Sequence, residues 1–277
     1  MEWDWALLLL TGLLAGALGS LAGLGGSIVV IPALLLFSNV FPAFSHITPT
    51  IAAGTALIIV LFTAISSTLS FAKQGRVDYR SGLFFFLGSG PGAWAGANFS
   101  RYLSADVFYI LFGILIVIMS FLLRSRNKQG KRRNNRVDWK VQRVYTSADG
   151  VRYEYGYNPL LAFIISFVIG VLAGMFGIGG GVLFVPLMLL LFHFPPHLAT
   201  ATSMFVILLS SITGGLTHIA LGHVYWWAIL WLAPGAWIGG TVGAALSRRI
   251  SGPLLVTLLQ IIFALIGLRM IWNGITG

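Results

Sequence analysis

The chain alternates long apolar stretches with short polar breaks. Apolar residues run with little interruption over 6–37, 51–72, 83–100 and 107–123, and again over 159–194, 199–221, 226–247 and 254–273. Most of these approach the ~20 residues that a helix needs to cross the hydrocarbon core of a bilayer. They are apolar on all sides, without the two-residue alternation of a barrel strand, and backbone groups in lipid must pair within their own segment. The pattern predicts an all-α polytopic membrane protein. The first and fifth stretches are too long for one span and short for two, and glycines interrupt both. Trp3, Trp5, Tyr225, Trp226, Trp227 and Trp272 fall near stretch ends, where an interfacial aromatic belt sits.

Composition sharpens this. Of 277 residues, 57% are hydrophobic and only 9% charged, against about 25% charged in soluble domains. A soluble globular fold is excluded, because too few polar side chains exist to cover a water-facing surface. The absence of cysteine excludes disulfides, thiolate metal sites and a cysteine nucleophile. The net charge of +10 is local: ten of the 17 Lys+Arg residues fall between Arg124 and Tyr157. The chain is thus expected to divide into a first transmembrane half, 1–123, a basic linker, 124–157, and a second half, 158–277. Within the linker, 124–136 reads as a solvated basic run. Val141-Gln-Arg-Val-Tyr145 and Val151-Arg-Tyr-Glu-Tyr155 flank Ser147-Ala-Asp-Gly150, which predicts a β-hairpin. The acidic start, Met1-Glu-Trp-Asp-Trp5, is unlike a signal peptide, so the first apolar segment is expected to stay in the mature protein.

The two halves read as copies. Gly23-Leu-Gly-Gly-Ser-Ile-Val-Val-Ile-Pro32 matches Gly177-Ile-Gly-Gly-Gly-Val-Leu-Phe-Val-Pro186 at an offset of 154. The next segment aligns at 148, placing Thr55 on Ser203 beside Thr202. At 147, Gly75 pairs with Gly222, Gly92 with Gly239, Gly96 with Gly243 and Arg101 with Arg248. Three blocks in one order with a nearly constant offset point to duplication. Transporters built from such repeats hold substrate near the midplane, between broken helices.

The glycine blocks supply a chemistry for that. Consecutive glycines are poor helix formers but adopt left-handed backbone freely. A segment that breaks at Gly23, Gly25 and Gly26, or at Gly177, Gly179, Gly180 and Gly181, and restarts at Ser27 or Gly181, presents the free N–H groups of a new helix N-terminus. Those donors and the positive end of the helix dipole favour an anion without any Lys or Arg. Ser27, Thr55, Thr202 and Ser203 would add hydroxyls. The glycine pairs at four-residue spacing, Gly92 with Gly96 and Gly239 with Gly243, are expected to serve close helix packing instead. No strand precedes the glycine blocks, which argues against a nucleotide site.

The Gly-[Leu/Ile]-Gly-Gly-[Ser/Gly] block with its downstream Pro, the following Ala-x-[Thr/Ser], the Gly-[Arg/His]-Val turn and the Gly-x-x-x-Gly helix together resemble the TauE/SafE family of sulfite exporter-like permeases. The resemblance covers roughly 6–123 and 159–273 and leaves out the linker. It implies a multi-pass plasma-membrane carrier for sulfite, sulfonates or related small sulfur-containing anions. The family motif falls on Gly23, Gly25, Gly26, Pro32 and Thr55, then on Gly177, Gly179, Gly180, Gly181, Pro186 and Ser203. Ser27 departs from the second copy, where Gly181 stands.

What is missing narrows the reading further. The apolar stretches contain no Asp, Glu or Lys, so no carboxylate chemistry is placed inside them. Arg101, Arg248 and Arg269 lie near stretch ends, within reach of the interface. The five histidines offer no metal spacing on a clear helix, because Pro195 and Pro196 separate His193 from His197. His218 lies deep in the 199–221 stretch and is a candidate for substrate or proton contact. The reading is a non-enzymatic secondary transporter without cofactor or metal, whose partners are a small anion and the lipid bilayer rather than nucleic acid. An anion channel, or a membrane scaffold acting through the basic linker, remains the alternative. Lys and Arg placement sets the linker in the cytoplasm. Eight passes with parallel halves and ten passes with inverted halves both fit, and the charge rule favours the second.

Overall fold

The computed structural model describes residues 4–126, 139–146, 152–247 and 264–275. Most of the basic run, the hairpin turn 147–150, Arg248, Arg249 and Gln260 lie outside these ranges. Within them the first half comprises α1 (Asp4–Ala22), α2 (Ser27–Val40), a single 3-10 turn (Pro42–Phe44), α3 (Pro49–Ala72), α4 (Tyr79–Ser100) and α5 (Ala105–Arg126). Strands β1 (Val141–Thr146) and β2 (Arg152–Tyr157) follow. Then come α6 (Pro159–Phe176), α7 (Gly181–Leu190), α8 (Pro196–Ala220), α9 (Trp226–Leu246) and the segment α10 (Ala264–Ile275). The chain is a mostly helical, multi-pass membrane protein. Helices α1, α3, α6, α8 and α9 are each long and apolar enough to cross a membrane.

Local chemistry sets the helix ends. Thr48 caps α3 by accepting from the N–H of Ile51, with Pro49 at the first helical position, where its missing N–H costs nothing. Asn158 and Pro159 start α6 in the same way. The two overlong apolar stretches each resolve into two helices. At about 1.5 Å per residue, the 14 residues of α2 and the 10 of α7 fall short of a full span.

Backbone-to-backbone packing fixes the helix directions. Along α1 and α9, Gly12 faces Leu232, Gly16 faces Ala236, Gly239 faces Leu13 and Gly243 faces Ala17, so these helices run parallel. Gly88, Gly92 and Gly96 of α4 meet Phe163, Phe167 and Val171 of α6 in the same sense. Helices α3 and α8 run antiparallel instead. Gly54 lies against His218, Leu57 against Gly214, and Val60 and Ile207 meet near the middle of both. Thus α1, α3 and α9 point one way, and α4, α6 and α8 the other.

The hairpin has the expected antiparallel pairing, from Val141 opposite Tyr157 to Thr146 opposite Arg152. It is docked onto the bundle. Tyr157 packs among Phe84, Phe85 and Phe192, and Tyr155 lies on Phe194 with ring centroids 4.4 Å apart. The N–H of Gly156 donates to the Phe192 carbonyl at 3.1 Å. The linker strands, the α3–α4 turn and the α7–α8 connection therefore share one end of the bundle. The α2–α3 connection and the α8–α9 turn share the other, where the rings of His46 and Tyr225 meet at 4.5 Å.

The glycine stripes of α4 and α9 are packing devices, as their spacing predicts. A Cβ added at Gly96 would fall on the carbonyl oxygen of Val171, and one at Gly239 on that of Leu13. Gly96→Ala and Gly239→Ala should each lower stability by about 1–3 kcal/mol, the usual cost of forcing extra volume into a packed interface. Thermal denaturation of the purified protein checks this, and two unchanged melting points would contradict the close approach.

Candidate functional site

The helix breaks fall where the glycine blocks place them. Gly23, Gly25 and Gly26 have φ of 73°, 84° and 91°, and Gly177, Gly179 and Gly180 have 70°, 64° and 79°. Each of these conformations is costly for a side-chain-bearing residue, by about 1–2 kcal/mol. Gly26 caps α2 and Gly180 caps α7, both in left-handed geometry and neither with a side-chain hydrogen bond. The first-turn N–H groups of both helices are therefore left without a side-chain cap.

Both breaks meet at the centre of the protein. Added Cβ atoms at Gly25 and Gly179 would each lie against the same Val60 methyl, at 2.9 and 2.6 Å, and against Ile207, at 3.5 and 3.1 Å. One at Gly181 would lie 2.5 Å from the carbonyl oxygen of Gly23. Val60 and Ile207 are the mid-points of the antiparallel pair α3 and α8, so the breaks lie deep between the helix ends. The surroundings are apolar apart from hydroxyls. Ser27, at the first position of α2, is fully buried with no partner for its Oγ. Ser211 of α8 is likewise buried and unpartnered, and its Oγ lies 3.5 Å from a Cβ built on Gly179.

The other expected hydroxyls are engaged with protein. Thr55 Oγ1 accepts from the N–H of Tyr225 at 2.9 Å, and Thr202 Oγ1 accepts from the N–H of Asp78 at 3.0 Å. Tyr225 caps α9 and Asp78 caps α4. The two bonds stand 147 residues apart in sequence, the spacing that also separates Gly92 from Gly239. Ser203 Oγ lies 3.0 Å from the Gly23 carbonyl and 2.8 Å from that of Thr200, tying α8 to the first break. His218 is fully buried, with Nε2 2.8 Å from the Gly174 carbonyl and Nδ1 3.4 Å from Nδ1 of His223.

The structure thus gathers Gly23, Gly25, Gly26, Ser27, Gly177, Gly179, Gly180 and Gly181 at one centre. Thr55, Thr202 and Ser203 buttress it, and His218 stands toward one end. Val60, Ile207 and Ser211 were not singled out from sequence. Carrying the offset of 147 back from the glycine helices pairs Val60 with Ile207, and that is the signal that locates them. Among the described residues no group of three or more His, Cys, Asp or Glu side chains is placed to hold a metal ion.

Asp78 organises the hairpin end. Its carboxylate accepts from the Ser81 N–H at 3.2 Å and from the hydroxyls of Ser81 and Tyr155, the latter at 2.9 Å, and it lies 3.6 Å from the Arg143 guanidinium. Burial first, and then the Asp78 charge and hydrogen bond, raise the Tyr155 hydroxyl above its ordinary value of 10.0. Tyr155 therefore stays a donor at every physiological pH.

Paired broken helices inside a multi-pass bundle define the class: a polytopic membrane protein of transporter type. The family model for the sulfite exporter TauE/SafE family matches residues 8–270. The chain belongs to that family. It is 45% identical over 272 residues to the probable membrane transporter protein YunE of Bacillus subtilis, covering 98% of this chain and 99% of the relative. It is 26% identical over 276 residues to the probable membrane transporter protein MJ0441 of Methanocaldococcus jannaschii, covering 96% and 94%. A sulfite exporter TauE/SafE family protein of Arabidopsis thaliana is 35% identical over 77 residues, 28% of this chain. No solved structure matches.

The reciprocal threonine bonds lead to a matched pair of effects. Thr55→Val and Thr202→Val each leave a turn N–H without its partner, which costs about 1–3 kcal/mol for a buried group. Both variants should melt earlier than wild type, while Thr55→Ser and Thr202→Ser should recover most of the loss. If serine rescued neither, the bonds would be incidental to the fold.

Proposed function

We propose that this protein is a secondary carrier for small sulfur-containing anions such as sulfite or organosulfonates, working by alternating access between two inverted halves. The observation that carries the reading is the convergence of two glycine-broken helices on one buried centre, with uncapped first turns and the unpartnered hydroxyl of Ser27. Helix N-termini favour negative charge through their free N–H groups and their dipole. Ser27 and Ser211 add neutral donors, and the site needs no fixed cation. An oxyanion held this way is bound by several hydrogen bonds of modest strength, about 1.5–3 kcal/mol each when one partner is charged.

The helix directions support the inverted arrangement. Helix α3 runs antiparallel to α8, and α1 antiparallel to α6, although they hold corresponding positions in the two halves. Ten passes then set Lys73, Arg76, Arg80 and the basic linker together on the cytoplasmic side of the plasma membrane and the start of α1 outside. Positive charge collects on that side, as the charge rule requires. Alternating access in this reading is a relative tilt of the halves about the α3–α8 crossing at Val60 and Ile207. An anion channel at the same centre is the rival, and kinetics separates the two.

The test is uptake of radiolabelled sulfite and of methanesulfonate into proteoliposomes. A carrier gives saturable uptake and counter-flow, whereas rates that do not saturate, with no counter-flow, mark a channel. No uptake of any small anion above that of empty vesicles would reject the reading. Gly180 is the cleaner of the two capping glycines to vary. The nearest atoms to a Cβ there belong to the Ile169 and Phe184 side chains, at 3.3 Å, while at Gly26 it would fall on the Ala15 carbonyl. Gly180→Ala and Ser27→Ala should each lower the rate at sub-saturating anion by about tenfold, which corresponds to 1.4 kcal/mol, with the protein still folded. Arg101→Gln should leave it unchanged.

A further inference from the structure

Among the described residues, His218 is the one fully buried helix side chain that carries a titratable ring; the other fully buried polar side chains of the helices are serines and threonines. Its partners fix where its hydrogen sits. The Gly174 carbonyl only accepts, so Nε2 of His218, 2.8 Å away, carries a hydrogen. In the neutral ring Nδ1 is then a lone pair, and Nδ1 of His223, 3.4 Å away, supplies the hydrogen that faces it.

That pair sits where the α8–α9 turn packs on α3. A Cβ added at Gly54 would fall on the His223 carbonyl and lie 3.1 Å from His218 Nδ1. Two residues beyond His223, the Tyr225 N–H donates to Thr55, and the Tyr225 ring lies on His46. The titratable groups around the pair are thus His46, from the α2–α3 connection, and Tyr225, which caps α9. Helices α3 and α6 present Gly54, Thr55 and Gly174, which do not titrate.

An added proton does not fit this arrangement. On His218 Nδ1 it would set N–H against N–H; on His223 Nε2 it would leave the Nδ1 donor in place but set a positive charge beside a buried, uncharged ring. Burial lowers His223 below its ordinary value of 6.5. A group lowered in the folded state stabilises that state above its free value, and the contribution is lost as pH falls. The closed turn is therefore full strength above about pH 6.5 and weakens on acidification.

We propose that the His218–His223 pair is a proton-binding site, and that a proton taken up there releases the α8–α9 turn from α3 and couples proton entry to the carrier's change of state. The proposal rests on the carrier reading above. The proton favours the state with the turn released, and coupling requires only that the anion bind the two states unequally. The pair stands at the end opposite the hairpin, so with the linker in the cytoplasm it loads from outside. Through Gly174 it also touches the last turn of α6, three residues before the second glycine break.

Two measurements on the full-length protein test this. In hydrogen exchange corrected for intrinsic rates, protection across 221–225 should fall about tenfold or more between about pH 8 and about pH 5 in wild type. His223→Gln, which keeps a donor and does not titrate, should remove that dependence. In proteoliposomes, an acid exterior should speed wild-type uptake of external methanesulfonate, whose sulfonate stays ionised in this range. His223→Gln should lose that stimulation and keep methanesulfonate exchange. Protection that is independent of pH in wild type overturns the proton site. Exchange that proceeds with no effect of the gradient overturns the coupling. Absence of wild-type exchange counts against the carrier reading instead, and the hydrogen-exchange result still decides the proton site.

Discussion

Two backbones turn back on themselves in the middle of an apolar bundle, and six left-handed glycines make that possible. A helix that stops inside a membrane leaves N–H and carbonyl groups with no water to meet them. Here the reversals are tight enough for local bonds to satisfy part of that demand: the N–H of Leu24 donates to the Gly19 carbonyl at 2.7 Å, and that of Ile178 to the Ala173 carbonyl at 3.1 Å. In the first turns of α2 and α7 the N–H groups of Val29 and Leu183 donate back to the Gly26 and Gly180 carbonyls, each at 3.0 Å, and no side chain caps either helix. The glycines also set the distance between the breaks, because Gly181 sits against the Gly23 carbonyl with no room for a side chain. The close packing of α1 on α9 and α4 on α6 follows, since it brings the arms of the broken helices to one point.

The ends of the bundle depart from the regularity of its centre. At one end Asp78 caps α4, receives the Tyr155 hydroxyl and faces Arg143, so the strands bridge the α3–α4 turn and the α7–α8 connection. Tyr225 occupies the corresponding position at the other end, without a carboxylate, and the neighbouring contact there is the His218–His223 pair. The same backbone bond, turn N–H to threonine hydroxyl, serves both ends. What differs is the side-chain chemistry laid over it: a charged, hydrogen-bonded clasp on one side and a neutral imidazole pair on the other.

Much of this was legible in the sequence. The glycine blocks gave the break positions to the residue, because positive φ is a backbone demand that only glycine meets cheaply. The hairpin was legible because β-prone residues flank turn chemistry, although its strands run one or two residues beyond the expected limits. Other features were not. A long apolar run does not say whether it crosses once or doubles back, so α1 and α2 merged into one stretch. Hydrophobic pattern is blind to contacts between distant segments, so the bonds of Thr55 with Tyr225 and of Thr202 with Asp78 carried no mark in it. Ser211 was invisible for a different reason: one serine among many in an oily helix carries no mark until its neighbours are known.

The polar economy of the centre constrains what any occupant can be. A fixed Lys or Arg would hold an anion strongly but would carry its own desolvation cost whenever the site stood empty between loading steps. N–H groups at a helix start carry only the smaller cost of a neutral donor left unpaired. Hydroxyls behave alike, since those of Ser27 and Ser211 are neutral and have no partner in the protein to give up. A centre built only from these groups would, in the proposed reading, bind an anion moderately and release it readily. Those are the properties required of a site that must load on one side of a membrane and unload on the other, which is why the neutral inventory around the glycine breaks supports a carrier better than a tight receptor.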